Sequence, residues 1–191
     1  MEEALSHTSI KMKHEHKELF EIPEGTTANV KGRMLEFQKG GKIAVRRMDV
    51  PDSSINVEGN KVIIHTAKAN KNHIKIAKAT VAHMKNMVRG LDKEFSYRLE
   101  VCVVHFPMTV KVEGRSLVIT NFLGEKRNRT ANLLEGVKVE VKGQEITVTG
   151  HDKEAVGQTV ANIEKATLIK KRDRRVFQDG IFVTHKDGKA I

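Results

Sequence analysis

The chain is short of cysteine, of aromatic residues and of long apolar runs, and each shortage excludes a class of protein. Of its 191 residues only Cys102 is a cysteine, which excludes an intramolecular disulfide and a cysteine-based metal cluster and suits a reducing compartment. Aromatic residues make up 4% and tryptophan is absent, so the core must consist mainly of Val, Ile, Leu, Met and Ala. No stretch approaches the roughly 20 apolar residues of a membrane-spanning helix, so we expect no membrane partner.

The N-terminal residues also lack the pattern that export requires. Residues 1–20 mix Glu, Lys and His and have no apolar central region, so they do not resemble a signal peptide. We expect residues 1–19 to form a mobile extension and the protein to be cytoplasmic.

Motifs for catalysis are absent as well. Gly41 and Lys42 resemble the end of a phosphate-binding loop, but Glu36 replaces the required earlier glycine and Ile43 the required Ser or Thr. The sequence has no dinucleotide-binding glycine pattern, no nucleophile elbow and no paired-carboxylate signature. We therefore predict no enzymatic activity, no catalytic residue, no cofactor and no small-molecule substrate.

Nine histidines raise the question of a metal site, most directly at His14-Glu15-His16. The others, among them His83 and His151, are scattered and show no spacing that would gather several around one ion. We predict structural or surface roles for the histidines and no metal site.

One short phrase occurs four times: a valine, a charged or polar residue, a glycine, two mostly polar residues and another aliphatic residue. Glycine readily adopts the positive φ that tight hairpin turns need, and the flanking aliphatic residues supply the buried faces of the paired strands. Each copy is therefore a predicted β-hairpin. The copies are Val30–Leu35, Val57–Val62, Val112–Leu117 and Val141–Ile146.

A helical segment repeats in the same way. Residues 80–87 (TVAHMKNM) match residues 159–166 (TVANIEKA), and each segment follows a pair of predicted hairpins. A sheet of hairpins with one apolar face needs a helix to cover it. The sequence therefore predicts an α+β fold of two tandem, internally duplicated modules, each a small, mostly antiparallel sheet packed against one helix.

The predicted elements follow one plan in both modules. The first module has a helix from Lys71 to Arg89, ended by Gly90, after strands at 27–31, 34–38, 42–48, 54–57 and 61–65. The second has a helix from Lys153 to Ala166 after strands at 108–112, 116–121, 125–129, 137–141 and 145–149. A long strand at 95–106 joins the modules. The predicted domains are the extension 1–19, the modules 20–92 and 93–184, and a polar C-terminal tail 185–191.

The formal net charge of +10 indicates a polyanionic partner, with nucleic acid ahead of an acidic membrane surface. The densest positive run is Lys170–Arg175, and the strand-like segment 176–183 after it indicates that the charges are held on a folded surface. Arginine in such a run can pair bidentately with phosphate. Because the usual DNA-reading motifs and the aromatic RNA-stacking motif are absent, backbone and shape recognition of structured RNA remains.

The first predicted helix carries a basic stripe beside its apolar face, formed by Lys71, Lys75, Lys78, Lys85 and Arg89. Exposed helix faces commonly carry lysines, so a solvated face and a phosphate-contacting surface both fit the pattern. We keep Lys75, Lys78 and Lys85 as candidates for a secondary RNA contact.

Several motifs, spread over nearly all of the chain from Ile22 to Val183, together resemble a known family. They are Val30–Arg33, Val88–Leu91 with Tyr97, His105–Pro107, Asn121–Lys126, and Asp173, Arg175 and Phe177 with Asp179–Ile181. This set resembles the universal large-subunit ribosomal protein six family, whose eukaryotic member is called ribosomal protein nine. The His-Phe-Pro, Asn-Phe-Leu-Gly-Glu-Lys and Asp-Gly-Ile pieces, in this order, are similar to its archaeal and eukaryotic branch.

The resemblance implies a duplicated α+β fold and a structural role in the large ribosomal subunit. It implies that the C-terminal module binds large-subunit rRNA near the sarcin–ricin loop and the stalk base, beside neighbouring ribosomal proteins and where translational GTPases dock. The motifs carry over Asn121, Lys126, Arg175 and Gly180 as rRNA contacts, and charge adds Lys170, Lys171, Arg172 and Arg174. An extraribosomal adaptor for RNA or protein with the same fold is the alternative.

Overall fold

A computed structural model describes residues 14–191, which divide into two compact units, one up to Lys85 and one from Asn86 onward. The division lies inside the first helix, α1 (Lys71–Asp92), and so precedes the predicted boundary between residues 92 and 93. Neither helix of the described residues combines the length and the hydropathy that a bilayer-spanning helix needs.

Six strands form the first unit: β1 (His14–Glu21), β2 (Thr27–Lys31), β3 (Met34–Lys39), β4 (Lys42–Arg47), β5 (Ser53–Glu58) and β6 (Lys61–Ala69). They pair antiparallel in two three-stranded sheets, in the orders β1-β6-β5 and β2-β3-β4. Side chains at alternate positions of a strand face the same way, so Leu35 and Phe37 of β3 are both buried. The rings of Phe20 and Phe37 meet edge to face at 5.9 Å and join the two sheets.

The second unit repeats this plan and adds to it. Its strands are β7 (Phe95–Cys102), β8 (Thr109–Glu113), β9 (Ser116–Thr120), β10 (Arg129–Asn132), β11 (Val137–Lys142), β12 (Glu145–Gly150), β13 (Gly180–Lys186) and β14 (Lys189–Ala190). They form a five-stranded sheet, β11-β12-β7-β13-β14, and a three-stranded sheet, β10-β9-β8. The predicted α+β class and the duplication are confirmed, with the strands of each unit divided between two sheets.

Helix α2 (Lys153–Ala166) covers the second unit's sheets as its apolar spacing predicts. Val156, Val160 and Ile163 are buried, and the helix packs on β7, β10 and β12. The Asp152 side chain caps the N-terminus, where it accepts a hydrogen bond from the Glu154 N–H at 2.8 Å. The buried face holds α2 on the sheets, and the helix ends at Ala166, four residues before the basic run begins at Lys170.

The predicted mobile extension 1–19 is wrong for its last six residues, because residues 14–19 belong to β1. β1 pairs with β6 as β7 pairs with β12: Phe20 faces Val62, and Leu99 faces Ile146. Beyond each pair the next strand residue donates to a hairpin carbonyl, Ile22 to Asn60 at 2.9 Å and Val101 to Gln144 at 2.8 Å. β1 is therefore the first module's copy of β7. The rest of the predicted extension, residues 1–13, lies outside the described residues.

Two predicted strands have different bounds in the structure. The strand predicted at 125–129 is wrong, since residues 122–124 form a turn of 3₁₀ helix and β10 begins only at Arg129. The positive φ values of Asn121, Leu123 and Gly124 turn the chain just before this range, and residues 125–128 belong to no strand. The strand predicted at 95–106 ends at Cys102, and residues 103–108 form a loop.

Regular secondary structure also extends beyond two of the predicted bounds, at the end of α1 and at the C-terminus. Helix α1 continues past Gly90 to Asp92, and Gly90 is a packing position and not the helix end, since a Cβ there would collide with the His151 carbonyl. The predicted C-terminal tail 185–191 is largely strand, since β13 runs on to Lys186 and β14 pairs back onto it.

Candidate nucleic-acid interface

The basic run Lys170–Arg175 lies in the segment between α2 and β13 and is folded into a turn by Asp173. The Asp173 carbonyl accepts the N–H groups of Val176 at 3.2 Å and Phe177 at 2.9 Å. Its carboxylate accepts the Arg175 backbone N–H at 2.9 Å and the Arg175 Nη2 at 2.9 Å. The hydrogen bonds with Arg175 lower the pKa of Asp173. One acidic residue therefore shapes the run and leaves its other charges at the surface.

A short stack of side chains holds this turn against the loop at residues 103–108. The guanidinium of Arg172 lies over the Phe177 ring, 4.9 Å from its centroid. The other partner of Phe177 is the imidazole of His105, with ring centroids 4.9 Å apart and planes 29° apart. Arg172 is thus fixed by an aromatic ring, and its N–H groups are left to a further partner.

Asp179 also binds the loop at 103–108. Its carboxylate is 2% exposed and accepts hydrogen bonds from the Val104 N–H at 2.8 Å, the His105 N–H at 2.9 Å and the His105 Nδ1 at 2.6 Å. Burial alone would raise the pKa of Asp179, but these hydrogen bonds outweigh it and lower the pKa to about 2. The carboxylate is therefore ionised at neutral pH and binds the loop through three donors.

Arg129 joins a third segment, the turn at 121–128, to the end of α2. Its Nη1 donates to the carbonyls of Ala166 at 2.9 Å and Leu168 at 3.3 Å, while Nε and Nη2 grip the Glu125 carboxylate at 2.8 and 2.6 Å. The guanidinium also lies 4.3 Å from the centroid of the buried Phe122 ring. A planar fork with five donors can make all these contacts at once, whereas an ammonium cannot.

Glu125 shows that the turn and the basic run are near each other. The hydrogen bonds from Arg129 lower the pKa of the Glu125 carboxyl, and although burial opposes this, the charges of Arg129 and Arg172 lower it further. Arg172 therefore acts on a residue of the turn 121–128. The Arg129 hydrogen bonds to the Ala166 and Leu168 carbonyls also place this turn beside the residues that lead into the basic run.

The predicted contact residues fall into three groups in the second unit. The side chains of Lys126, Lys170, Lys171 and Arg174 are exposed and make no hydrogen bond or ion pair with another described residue. Arg172 and Arg175 are exposed and engaged, with Phe177 and with Asp173 respectively. We call these six cations the basic face.

Asn121 and Gly180 have other surroundings. The Asn121 Nδ2 donates to the Pro107 carbonyl at 2.8 Å, which ties the turn to the loop at 103–108. Gly180 is buried at the start of β13, where a Cβ would lie 2.8 Å from Cζ of Phe182. Both residues thus shape the surface near the basic face and do not extend a side chain from it.

The remaining candidates are lysines of α1 in the first unit. The side chains of Lys75, Lys78 and Lys85 are exposed on α1, as their spacing beside the apolar face predicts. Among the side chains of residues 15–191, no three of His, Cys, Asp or Glu come together in a way that could hold a metal ion.

Two residues that organise the surface were missed at the sequence level. Arg129 lies in no motif singled out from the sequence, and nothing in the sequence indicates that its side chain reaches the end of α2. Asp179 stands in the Asp-Gly-Ile piece, and its pairing with His105 spans a separation that no local pattern reports. The signal available in the sequence was an acid directly before glycine and a predicted strand-like segment.

Comparison with known proteins shows the family of the chain. A family model described as "Ribosomal protein L6" matches residues 106–180, a range that includes the turn 121–128, helix α2 and the whole basic run. The large ribosomal subunit protein uL6 of Methanococcus vannielii is 41% identical over 175 residues, which are 92% of this chain and 96% of that protein. The chain belongs to the uL6 family. Two further uL6 proteins show similar agreement over almost their full lengths.

Those two relatives are also archaeal. The uL6 protein of Methanocella arvoryzae is 45% identical over 172 residues, 87% of this chain and 94% of its own. The one of Saccharolobus solfataricus is 42% identical over 173 residues, 90% of this chain and 95% of its own. The resemblance read from the motifs is confirmed, and the uL6 family consists of large-subunit ribosomal proteins, which are not enzymes.

Proposed function

We propose that the second unit of this uL6-family protein binds large-subunit rRNA through the basic face. The observation that carries the proposal is the set of four exposed cations, Lys126, Lys170, Lys171 and Arg174, whose side chains bind nothing else among the described residues. Like charges gathered on a fixed surface repel one another, so an anionic partner stabilises the arrangement. Phosphate groups of RNA are such a partner, and releasing their counterions favours binding.

The fixed backbone around the basic face supports recognition of a folded RNA. Asp179, Arg129 and Asn121 each tie together two chain segments that carry or flank the cations. A surface that is ordered before binding loses less conformational entropy when it meets its partner. We therefore assign Asn121 and Gly180 to positioning the surface and the six cations to contacting rRNA.

Arg175 can change partners at little cost. Its ion pair with Asp173 is exposed, with 90% of the arginine side chain accessible, and because solvent screens such surface pairs they add little to stability. A phosphate offers the same bidentate geometry with a larger charge. In the absence of RNA, Asp173 therefore positions the Arg175 guanidinium, which can then pair with a phosphate.

The family resemblance supports a proposal for the place of this protein in the ribosome. We propose that this face binds rRNA near the sarcin–ricin loop, at the base of the stalk, and supports the region where translational GTPases dock. Its other neighbours would be large-subunit ribosomal proteins, in the cytoplasm. The α1 lysines Lys75, Lys78 and Lys85 would add a weaker rRNA contact.

Cosedimentation tests the assignment. We expect the full-length protein to remain with large subunits after a high-salt wash, because many contacts with folded RNA act together. A protein found mainly in the free pool of a cell extract, and absent from salt-washed large subunits, would refute the ribosomal role and favour the extraribosomal adaptor.

A further inference from the structure

Phe106 stands apart from the other aromatic residues of this chain. The sequence has seven phenylalanines and one tyrosine. Five of these eight rings are buried in the two cores, those of Phe20, Phe37, Phe95, Tyr97 and Phe122. Phe177 is stacked between Arg172 and His105, and only Phe106 (45% exposed) and Phe182 (39% exposed) present large surface. A chain with so few aromatic residues leaves one of them exposed in the loop at 103–108.

The backbone on both sides of Phe106 is fixed. Before it, the buried Asp179 carboxylate accepts the N–H groups of Val104 and His105; after it, the Asn121 amide donates to the Pro107 carbonyl at 2.8 Å. His105 turns its ring toward Phe177. Phe106 is therefore held from both ends and exposed, which differs from a ring on a loose loop.

The Phe106 ring packs against Gly124. A Cβ placed on Gly124 would lie 3.7 Å from Cε1 and Cζ of Phe106, so the ring packs against the bare backbone of the turn at 121–128. Gly124 has a φ of 75°, a conformation that favours glycine. The ring thus rests on the turn that also carries Lys126 and Arg127.

The charges beside the ring complete the site. Lys126 and Arg127 follow Gly124 closely in the same turn, are exposed, and make no side-chain hydrogen bond or ion pair with another described residue. The nearest acid in the sequence, Glu125, is occupied by Arg129. An anionic partner is therefore favoured here, and its planar, apolar part would meet the phenyl ring.

We propose that Phe106 is a stacking platform for an unpaired base of the bound RNA, with Lys126 and Arg127 holding the phosphates beside that base. Any base has a π-face that can lie on a phenyl ring, and RNA is recognised largely through such unstacked bases. The inference rests on the proposed rRNA binding. It adds a contact to the base, whereas the basic face contacts the backbone.

The test compares wild type with Phe106→Leu, Phe106→Tyr and Phe182→Leu, each full length, in binding to protein-free large-subunit rRNA extracted from the same cells. Loss of base stacking should weaken Phe106→Leu about 5- to 100-fold, whereas Phe106→Tyr keeps an aromatic face and should bind within about twofold of wild type. The salt dependence should not change, because no phosphate contact is removed. Phe182→Leu makes the same substitution at the other exposed phenylalanine and should bind like wild type.

Two results would overturn the platform. One is Phe106→Leu binding within about twofold of wild type, or no more weakly than Phe182→Leu, while thermal unfolding shows that all variants are folded. The other is normal binding to free rRNA but loss of Phe106→Leu protein from assembled subunits, which would assign the ring to a neighbouring protein. If wild type itself fails to bind the rRNA, the proposed function fails, and this outcome is distinct from both.

Discussion

Asp179 and His105 are joined twice, by the backbone N–H of His105 at 2.9 Å and by its Nδ1 at 2.6 Å, both donating to a carboxylate that is 2% exposed. The third donor is the Val104 N–H. This arrangement fixes the loop at 103–108 against the segment that carries the basic run. Several properties of the second unit should depend on it.

Replacing Asp179 with Ala should lower the free energy of unfolding of the second unit by about 1–3 kcal/mol, because backbone donors lose their buried acceptor. Urea unfolding measures the change. The matched control is Asp173→Ala, which removes an exposed carboxylate with an arginine partner and should cost clearly less stability. Equal losses in the two variants would contradict the role given to the buried carboxylate.

Asp179 should also make the stability of the second unit depend on pH in the acid range. The folded-state pKa of Asp179, about 2, lies below its ordinary value of 3.8, so the ionised carboxylate stabilises the folded state. This contribution is complete above about pH 4 and is lost as the pH falls through about 2. Asp179→Asn should lack this part of the loss. A stability difference between wild type and Asp179→Asn that is the same at about pH 5 and about pH 2.5 would count against it.

The secondary structure was largely readable from the sequence because it depends on local periodicity. Hairpin glycines such as Gly32 and Gly114 lie in positive-φ turns, and the helical spacing of Val156, Val160 and Ile163 gives the buried face of α2. β1 escaped prediction for a physical reason. Its inward positions before Phe20 are His16 and Glu18, which bond to each other at 2.9 Å, so no apolar alternation marks the strand.

The charged residues of the interface could be predicted from the sequence, but the residues that hold its segments together could not. A run such as Lys170–Arg175 is visible in any sequence, whereas Asp179 and Arg129 act on residues far away along the chain. The positive φ values of Asn121 and Leu123 also form a turn after β9 that the sequence did not predict, since neither residue is glycine. Long-range partners and left-handed backbone at ordinary residues leave little trace in local patterns.

Arg129→Lys should destabilise the second unit by about 1–3 kcal/mol, because lysine keeps the charge but cannot grip Glu125 and the carbonyls at the end of α2 together. Amide hydrogen exchange should also rise in residues 167–169. Arg115→Lys is the control: its partner Glu135 is exposed, and the change should stay within about 0.5 kcal/mol. Protection of residues 167–169 equal to wild type would show that Arg129 is not their anchor.

Phe20→Ala should lower the stability of the first unit by about 3 kcal/mol, since it removes a buried ring that packs against Phe37. Leu19→Ala, on the outward side of the same strand and 57% exposed, should change it by less than about 0.5 kcal/mol. Chemical denaturation with a probe in the first unit separates the two outcomes. If both variants matched wild type, residues 14–21 would be the mobile extension and not a strand.

The α1 lysines allow a graded comparison. Lys75→Glu with Lys78→Glu should reduce rRNA affinity several-fold, less than the same charge change on the basic face, since α1 is proposed only as a secondary contact. Filter binding at several salt concentrations measures both quantities. Unchanged affinity together with unchanged salt dependence would assign the stripe to solvent.

The most direct measurement of the central proposal is the salt dependence of rRNA binding by Lys170→Glu/Arg174→Glu. Neither side chain has a partner among the described residues, so the fold should survive the change. Lys111→Glu/Lys138→Glu, on exposed strand positions of the same unit, carries the same change in net charge as the control. The slope of log K against log salt should become shallower by about two for the first variant and stay near wild type for the control. Equal slopes for wild type and both variants would show that the basic face does not bind the RNA.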